Sequence, residues 1–245
     1  MREYGLIGYP LSHSFSQKYF TQKFEKEGIA DAVFHAFSIP SIEELPQLLK
    51  DHPQLVGFCI TIPYKRSVMQ YLDEASDAVK QMDACNCVKI TNGKLYGFNT
   101  DVVGFKKSFI KHLQPHHKHA LILGTGGASS AVEFVLKQRN IAYHFVSRTK
   151  DETKNILSYA DINEALLATY SVIINCTPLG MYPNVDVAPE LPYHLLNSTH
   201  YLFDLVYNPS KTKFLLLGEQ QAATIENGSE MLALQAEENW IIWNS

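Results

Sequence analysis

Apolar runs long enough to cross a bilayer are missing from this 245-residue sequence, which removes a membrane-spanning α-helix from consideration. Cysteine is scarce. Cys59, Cys85, Cys87 and Cys176 form no CxxC pair and no disulfide-like spacing, so a disulfide scaffold is excluded and buried, reduced thiols are expected. A basic surplus is also missing: the formal net charge is -4, and nucleic acid would have no cationic stripe to follow. The start, Met1-Arg2-Glu3-Tyr4, runs straight into a strand-like segment without the apolar stretch of a secretory signal, which makes the cytoplasm the expected compartment. The histidines of Gln114-Pro115-His116-His117-Lys118-His119 have no carboxylate or cysteine at ligand spacing; the segment reads as a solvated polar linker, and no metal is expected.

What is present fits a folded, globular protein. Apolar residues make up 46% and charged residues 19%, and the length is comfortable for two domains. Expected partners are small molecules, not nucleic acid or a membrane, with monomer or homodimer left open.

The most informative stretch is His119-Ala120-Leu121-Ile122-Leu123-Gly124-Thr125-Gly126-Gly127-Ala128-Ser129-Ser130. Ala120 to Leu123 reads as a buried strand that breaks into a glycine turn. Ala131, Val132, Phe134, Val135 and Leu136 then recur at helical spacing up to Arg139-Asn140. Strand, glycine turn and helix N-terminus together make an anion site, because free N–H groups and the positive end of the helix dipole face the turn. Ser129 stands where the dinucleotide fingerprint asks for a third glycine or alanine, and serine is small enough to keep the helix close. Ala142 to Val146 reads as the next strand, with Ser147-Arg148-Thr149-Lys150 at its end. A carboxylate there would bind the ribose hydroxyls of NAD. Arg148 and Lys150 instead offer cations to a 2′-phosphate, which favours NADP.

Elsewhere strands alternate with helices. Tyr4–Tyr9, Ala32–Phe37, Leu55–Ile62, Ser171–Thr177 and Tyr201–Val206 read as strands. Asn92-Gly93 sits between two strand-like runs as a hairpin turn. Helices are expected over 42–49, from Thr100-Asp101 to near Leu113, over 162–170, and from Ser229 to about Trp243. The alternation predicts an α/β fold with doubly wound parallel sheet. Three serines around His13, at 12, 14 and 16, exceed what one helix cap requires and suit a polyol or carboxylate ligand. Lys65 follows a central strand, at the carboxyl end where open α/β sheets gather ligands. Gln235 and Asn239 fall near one face of the last helix.

Eight stretches in this order resemble the shikimate dehydrogenase family over nearly the whole chain. They are Gly8-Tyr9-Pro10-Leu11-Ser12-His13-Ser14-Phe15-Ser16, Thr61-Ile62-Pro63-Tyr64-Lys65, Ala84-Cys85-Asn86, Gly97-Phe98-Asn99-Thr100-Asp101, the Gly124–Ser129 turn, Asn175-Cys176-Thr177-Pro178-Leu179-Gly180-Met181, Asp204-Leu205-Val206-Tyr207-Asn208-Pro209 and Met231-Leu232-Ala233-Leu234-Gln235-Ala236. The resemblance implies an N-terminal α/β substrate domain (1–101 and 229–245), a Rossmann NADP-binding domain (102–228), and a last helix that returns to the substrate domain. It implies reversible NADPH-dependent reduction of 3-dehydroshikimate to shikimate. Lys65 and Asp101 would be catalytic. Ser14, Ser16, Thr61, Asn86, Tyr207 and Gln235 would bind substrate. Gly124, Gly126, Gly127, Ala128, Ser147, Arg148, Thr149, Lys150, Thr177 and Met181 would bind cofactor. The chain departs from the family pattern at Cys59, commonly asparagine; at Cys87, commonly threonine; and at Ser130, commonly arginine. The alternatives are a quinate/shikimate dehydrogenase that uses NAD, and a non-catalytic shikimate sensor on the same fold.

Overall fold

The computed structural model describes residues 1–11 and 15–245; Ser14, an expected substrate-binding residue, lies outside them. The chain forms two compact units, Met1–Thr100 with Gln235–Ser245, and Asp101–Leu234.

In the first unit the order is β1 (Arg2–Gly8), α1 (Phe15–Glu27), β2 (Ala32–Ser38), α2 (Leu45–Asp51), β3 (Leu55–Ile60), β4 (Glu74–Ala75), α3 (Asp77–Met82), β5 (Cys87–Thr91) and β6 (Lys94–Phe98). The sheet order is β2-β1-β3-β5-β6-β4. β1, β2 and β3 are parallel, and β5 and β6 form the antiparallel hairpin. Asn92 and Gly93 turn that hairpin at φ 52° and 75°, the left-handed geometry the dipeptide favours. The strands bury both faces. Ile7, Phe58 and Ile60 face a core with Leu45, Leu48 and Val68. Tyr4, Leu6 and Cys59 point the other way, toward Phe20, Phe24, Phe34 and Trp243.

The second unit contains α4 (Asp101–Phe109), β7 (His119–Leu123), α5 (Ser129–Gln138), β8 (Ala142–Ser147), β9 (Ile156–Ser158), α6 (Glu164–Thr169), β10 (Val172–Asn175), β11 (Tyr201–Asp204), α7 (Lys213–Glu219) and β12 (Thr224–Glu226). Its sheet, β12-β11-β10-β7-β8-β9, is parallel throughout. Read from β9, the order is the 3-2-1-4-5-6 of a Rossmann fold, with the switch point between β7 and β10. Every residue of β10 and β11 is buried, which is why those segments read as unbroken apolar runs. The last helix, α8 (Ser229–Asn244), carries its residues from Gln235 onward into the first unit.

Several boundaries differ from the sequence reading. β3 stops at Ile60: the Thr61 amide still bonds Ile7 O at 2.9 Å, but its carbonyl accepts the Tyr64 amide at 2.9 Å and closes a turn. The 42–49 helix is a 3-10 turn, Ile42–Glu44, that continues into α2. The histidine segment is not simply a solvated linker: His117 is buried, accepts the Gln114 amide at 2.9 Å through Nδ1, and meets Thr199 O at 3.2 Å through Nε2. Burial lowers the His117 pKa. The short elements α3, α7, β4, β9 and β12 carry too few residues to show a period.

Candidate active site

In the first unit the expected substrate residues gather where β1 and β3 end. Gly8 closes β1, and a Cβ on it would meet Thr61 Cγ2 at 2.4 Å and Ile62 O at 3.0 Å, so glycine lets the two strand ends converge. Thr61 and Lys65 lie in the turn that follows β3, both half-buried; the Lys65 carbonyl accepts the Cys85 amide at 2.8 Å. Ser16 is buried in the first turn of α1.

Asn86 and Gln235 belong to one buried polar network. Asn86 Oδ1 accepts the Thr100 amide at 2.7 Å. The Thr100 hydroxyl lies 2.7 Å from Asn239 Oδ1, 3.2 Å from Asn86 Oδ1 and 3.5 Å from Gln235 Oε1. It carries one hydrogen, and the shortest approach takes it to Asn239. Asn239 Nδ2 in turn donates to Cys59 Sγ at 3.1 Å and Gln235 Oε1 at 3.3 Å. Thr100 therefore commits its hydroxyl to this network. Asn239 and Cys59 are participants that the sequence reading gave no role. The four-residue spacing of Gln235 and Asn239 on α8 was the available signal. Asn99 was also given no role, yet its Oδ1 is buried without a hydrogen-bond partner among the described residues, while its Nδ2 donates to Ala84 O at 2.9 Å. Such an acceptor normally finds a water or a ligand hydroxyl.

In the second unit Asp101 is the first residue of α4, and Tyr207 is exposed in the segment after β11. The expected cofactor residues lie at the switch point. Gly124 has φ +96°, and a Cβ there would sit 2.9 Å from Thr177 Cγ2, so the β7 and β10 loops touch only because the residue is glycine. Gly126 and Gly127 differ: among the described residues, no atom beyond the chain neighbours lies within 4 Å of a Cβ on either. Their bare backbone leads into α5, whose N-cap, Ala128, supplies no side-chain cap. The Ser129 and Ser130 hydroxyls turn back onto Gly126 O at 2.7 Å and Gly127 O at 2.9 Å. Open backbone amides at a helix start fit a pyrophosphate.

Gly124, Gly126, Ser147, Arg148, Tyr159 and Thr177 line a cavity of about 420 Å³. Lys150 stands apart, exposed and paired with Glu152 at 3.0 Å; Thr149 is exposed beside it, as is Met181 beyond the β10 loop.

A buried network fixes that loop. Asn175 Oδ1 accepts the Thr177 amide at 3.0 Å and hydroxyl at 2.6 Å, while Asn175 Nδ2 donates to Asp204 Oδ1 at 2.9 Å. Asp204 also accepts the Thr212 hydroxyl at 2.5 Å and the Val206 amide at 3.0 Å. Burial pushes the Asp204 pKa up to about 6, against those donors. Asn175 and Asp204, which hold Thr177 in place, stand in two of the motif stretches, but the sequence reading assigned neither a role.

A Rossmann sheet with an open glycine turn and a cation after its second strand defines an α/β dinucleotide-binding protein. The comparisons narrow this. The sequence model of the shikimate dehydrogenase substrate binding domain matches residues 6–88. Curated NADP(+) shikimate dehydrogenases from Clostridium beijerinckii and Caldicellulosiruptor saccharolyticus are 37% and 34% identical, over 98% and 99% of this chain and 92% of each relative. The Thermus thermophilus shikimate 5-dehydrogenase crystal structure, in complex with NADP(H) and shikimate, is 28% identical at TM-score 0.85, covering 99% of this chain and 93% of that one. The chain belongs to the shikimate dehydrogenase family.

Proposed function

We propose that the chain is an NADP-dependent shikimate dehydrogenase that reversibly reduces 3-dehydroshikimate to shikimate, a step of aromatic amino acid biosynthesis. The carrying observation is the cavity in which the open backbone of Gly126 and the Arg148 side-chain position share one space. No carboxylate follows β8 at 147–150 to select ribose hydroxyls; Arg148 offers a positive charge to a 2′-phosphate.

The nicotinamide, when bound, supplies or accepts the hydride. The chain's own task is then the proton. Reduction of a ketone leaves an alkoxide, and we assign Lys65 to protonate or hydrogen-bond that oxygen, with Asp101 orienting the lysine and sharing the proton relay. Ser14, Ser16, Thr61, Asn86, Gln235 and Tyr207 are assigned to the substrate's hydroxyls and carboxylate. The network of Asn86, Thr100, Asn239 and Gln235 supports this set, because buried amides already held by neighbours present fixed donors and acceptors. Leaving one unpaired costs about 1–3 kcal/mol, which rejects substrates lacking the matching hydroxyl. Gly124, Gly126, Gly127 and Ala128 are assigned to the pyrophosphate, Ser147, Arg148, Thr149 and Lys150 to the adenosine 2′-phosphate, and Thr177 and Met181 to the rest of the cofactor.

We assign Met1–Asp101 with 229–245 to substrate and 102–228 to cofactor. A cytoplasmic location is supported by three buried, reduced cysteines, Cys59, Cys85 and Cys87. Among the described residues no helix is long and apolar enough to cross a membrane.

The test follows nicotinamide absorbance with shikimate and quinate crossed against NADP+ and NAD+. Turnover with shikimate and NADP+ alone is the expected result. Comparable turnover with NAD+ or quinate would overturn the specificity, an outcome that Ser130, in place of the family's usual arginine, makes worth measuring. Folded protein that binds shikimate without turnover would replace the enzyme by a sensor.

A further inference from the structure

Glu3, His35 and His52 meet on one face of the first sheet, near the amino-terminal ends of β1 and β3, whereas Thr61 and Lys65 follow the carboxyl end of β3. Glu3 is on β1, His35 on β2, and His52 caps the carboxyl end of α2. Strand register explains the meeting. His35 pairs with Gly5, two residues from Glu3, so both side chains leave the same face of the sheet. Gly5 adds no side chain, and the Phe37 ring covers it: a Cβ there would lie 2.4 Å from Phe37 Cε2. That ring packs on the His52 imidazole at 4.8 Å between centroids and helps hold it toward Glu3.

Glu3 Oε2 lies 2.7 Å from His52 Nδ1 and 3.8 Å from His35 Nε2, and the three ligand atoms are all within 4.8 Å of one another. Tetrahedral coordination with bonds near 2.0–2.1 Å separates neighbouring ligands by about 3.3 Å. The two distances straddle that value, so small side-chain rotations bring the three donors around one ion. We propose that Glu3, His35 and His52 form a binding site for a divalent transition-metal ion of the zinc type.

Three further observations favour a cation here. All three side chains are partly exposed, with 23% of Glu3, 36% of His35 and 32% of His52 accessible, which leaves an entry path and a fourth position for water. The carboxyl end of α2 contributes partial negative charge next to His52. Arg2, the adjacent cation, is engaged with Asp31 at 3.0 Å. Two imidazoles and one carboxylate suit zinc, cobalt or nickel, while calcium and magnesium prefer an all-oxygen shell. A bound ion would clip β1, β2 and the end of α2 together.

Cobalt(II) is the probe, titrated into tag-free, full-length protein at neutral pH. One equivalent should bind and give the visible absorption of a low-symmetry cobalt site with nitrogen ligands. His35→Ala and His52→Ala should each weaken binding at least about tenfold, as loss of a ligand exceeds loss of an outer-shell partner. Glu3→Gln should weaken it while keeping an acceptor for His52, and His116→Ala, on the other unit, should leave it unchanged. Dehydrogenase activity checks that each variant is folded. The proposal is overturned if no cobalt binds to the wild type, or if binding survives in the folded His35 and His52 variants.

Discussion

At the residue scale, chemistry and stability separate. Lys65→Ala should lower kcat by roughly a hundredfold or more while shikimate KM changes only a few-fold; near-normal turnover would remove Lys65 from the proton step. Asp204 gives a second prediction, in pH. Its carboxyl rises from the ordinary 3.8 to about 6 in the fold, so the folded state holds the proton more tightly than the unfolded chain. The stabilisation is therefore complete below the unfolded value and is lost as pH rises through about 6. Asp204→Asn removes the titration and keeps acceptors for Val206 and Asn175. The stability difference, wild type minus variant, should fall by roughly 2 kcal/mol between pH 4 and 7. Urea unfolding across that range measures it, and a flat difference would refute the burial effect.

At the element scale, the glycines of the β7–α5 turn do different jobs. Gly124→Ala places a methyl 2.9 Å from Thr177 at φ +96°, and should cost roughly 1–3 kcal/mol through strain and crowding. Gly126→Ala meets no atom of the described residues beyond its chain neighbours. It should leave the melting temperature nearly unchanged while weakening NADP+ binding, because the methyl enters the space assigned to the pyrophosphate. Calorimetry and cofactor titration on the two variants separate these effects; equal loss of stability would mean that Gly126 is structural. Helix α8 has its own anchor. The Trp243 indole donates to Val88 O at 3.0 Å and packs directly over Gly57, where a Cβ would lie 2.2 Å from its ring. Trp243→Ala should cost about 3–5 kcal/mol, read from chemical denaturation.

At the scale of the whole molecule, both tryptophans, Trp240 and Trp243, belong to the first unit. Their fluorescence therefore reports that unit, while circular dichroism reports both. NADP+ at a hundredfold excess over its Kd should stabilise the cofactor unit by about 2.7 kcal/mol. The dichroism transition should rise further than the fluorescence transition, and shikimate should reverse the order. Identical shifts with either ligand would mean that the two units unfold as one.

The sequence alone determined the elements with a strong period and the motifs that need particular atoms. β7, the glycine turn and α5 were legible because an apolar run, small residues and a 3.6-residue repeat occur together between Ala120 and Gln138. The Asn92-Gly93 hairpin was legible because few dipeptides adopt its geometry. The sequence could not show what depends on residues far apart in the chain. Asn239 joins Thr100 and Cys59, Asn175 joins Asp204, and Glu3 joins His35 and His52, each across separations that no local pattern records. Short edge strands such as β9 and β12 were hidden for the same reason, since three residues have no period and their pairing comes from a neighbour. Local patterns reflect the backbone's own preferences. The polar networks and the meeting of Glu3, His35 and His52 arise only when the sheets set their register.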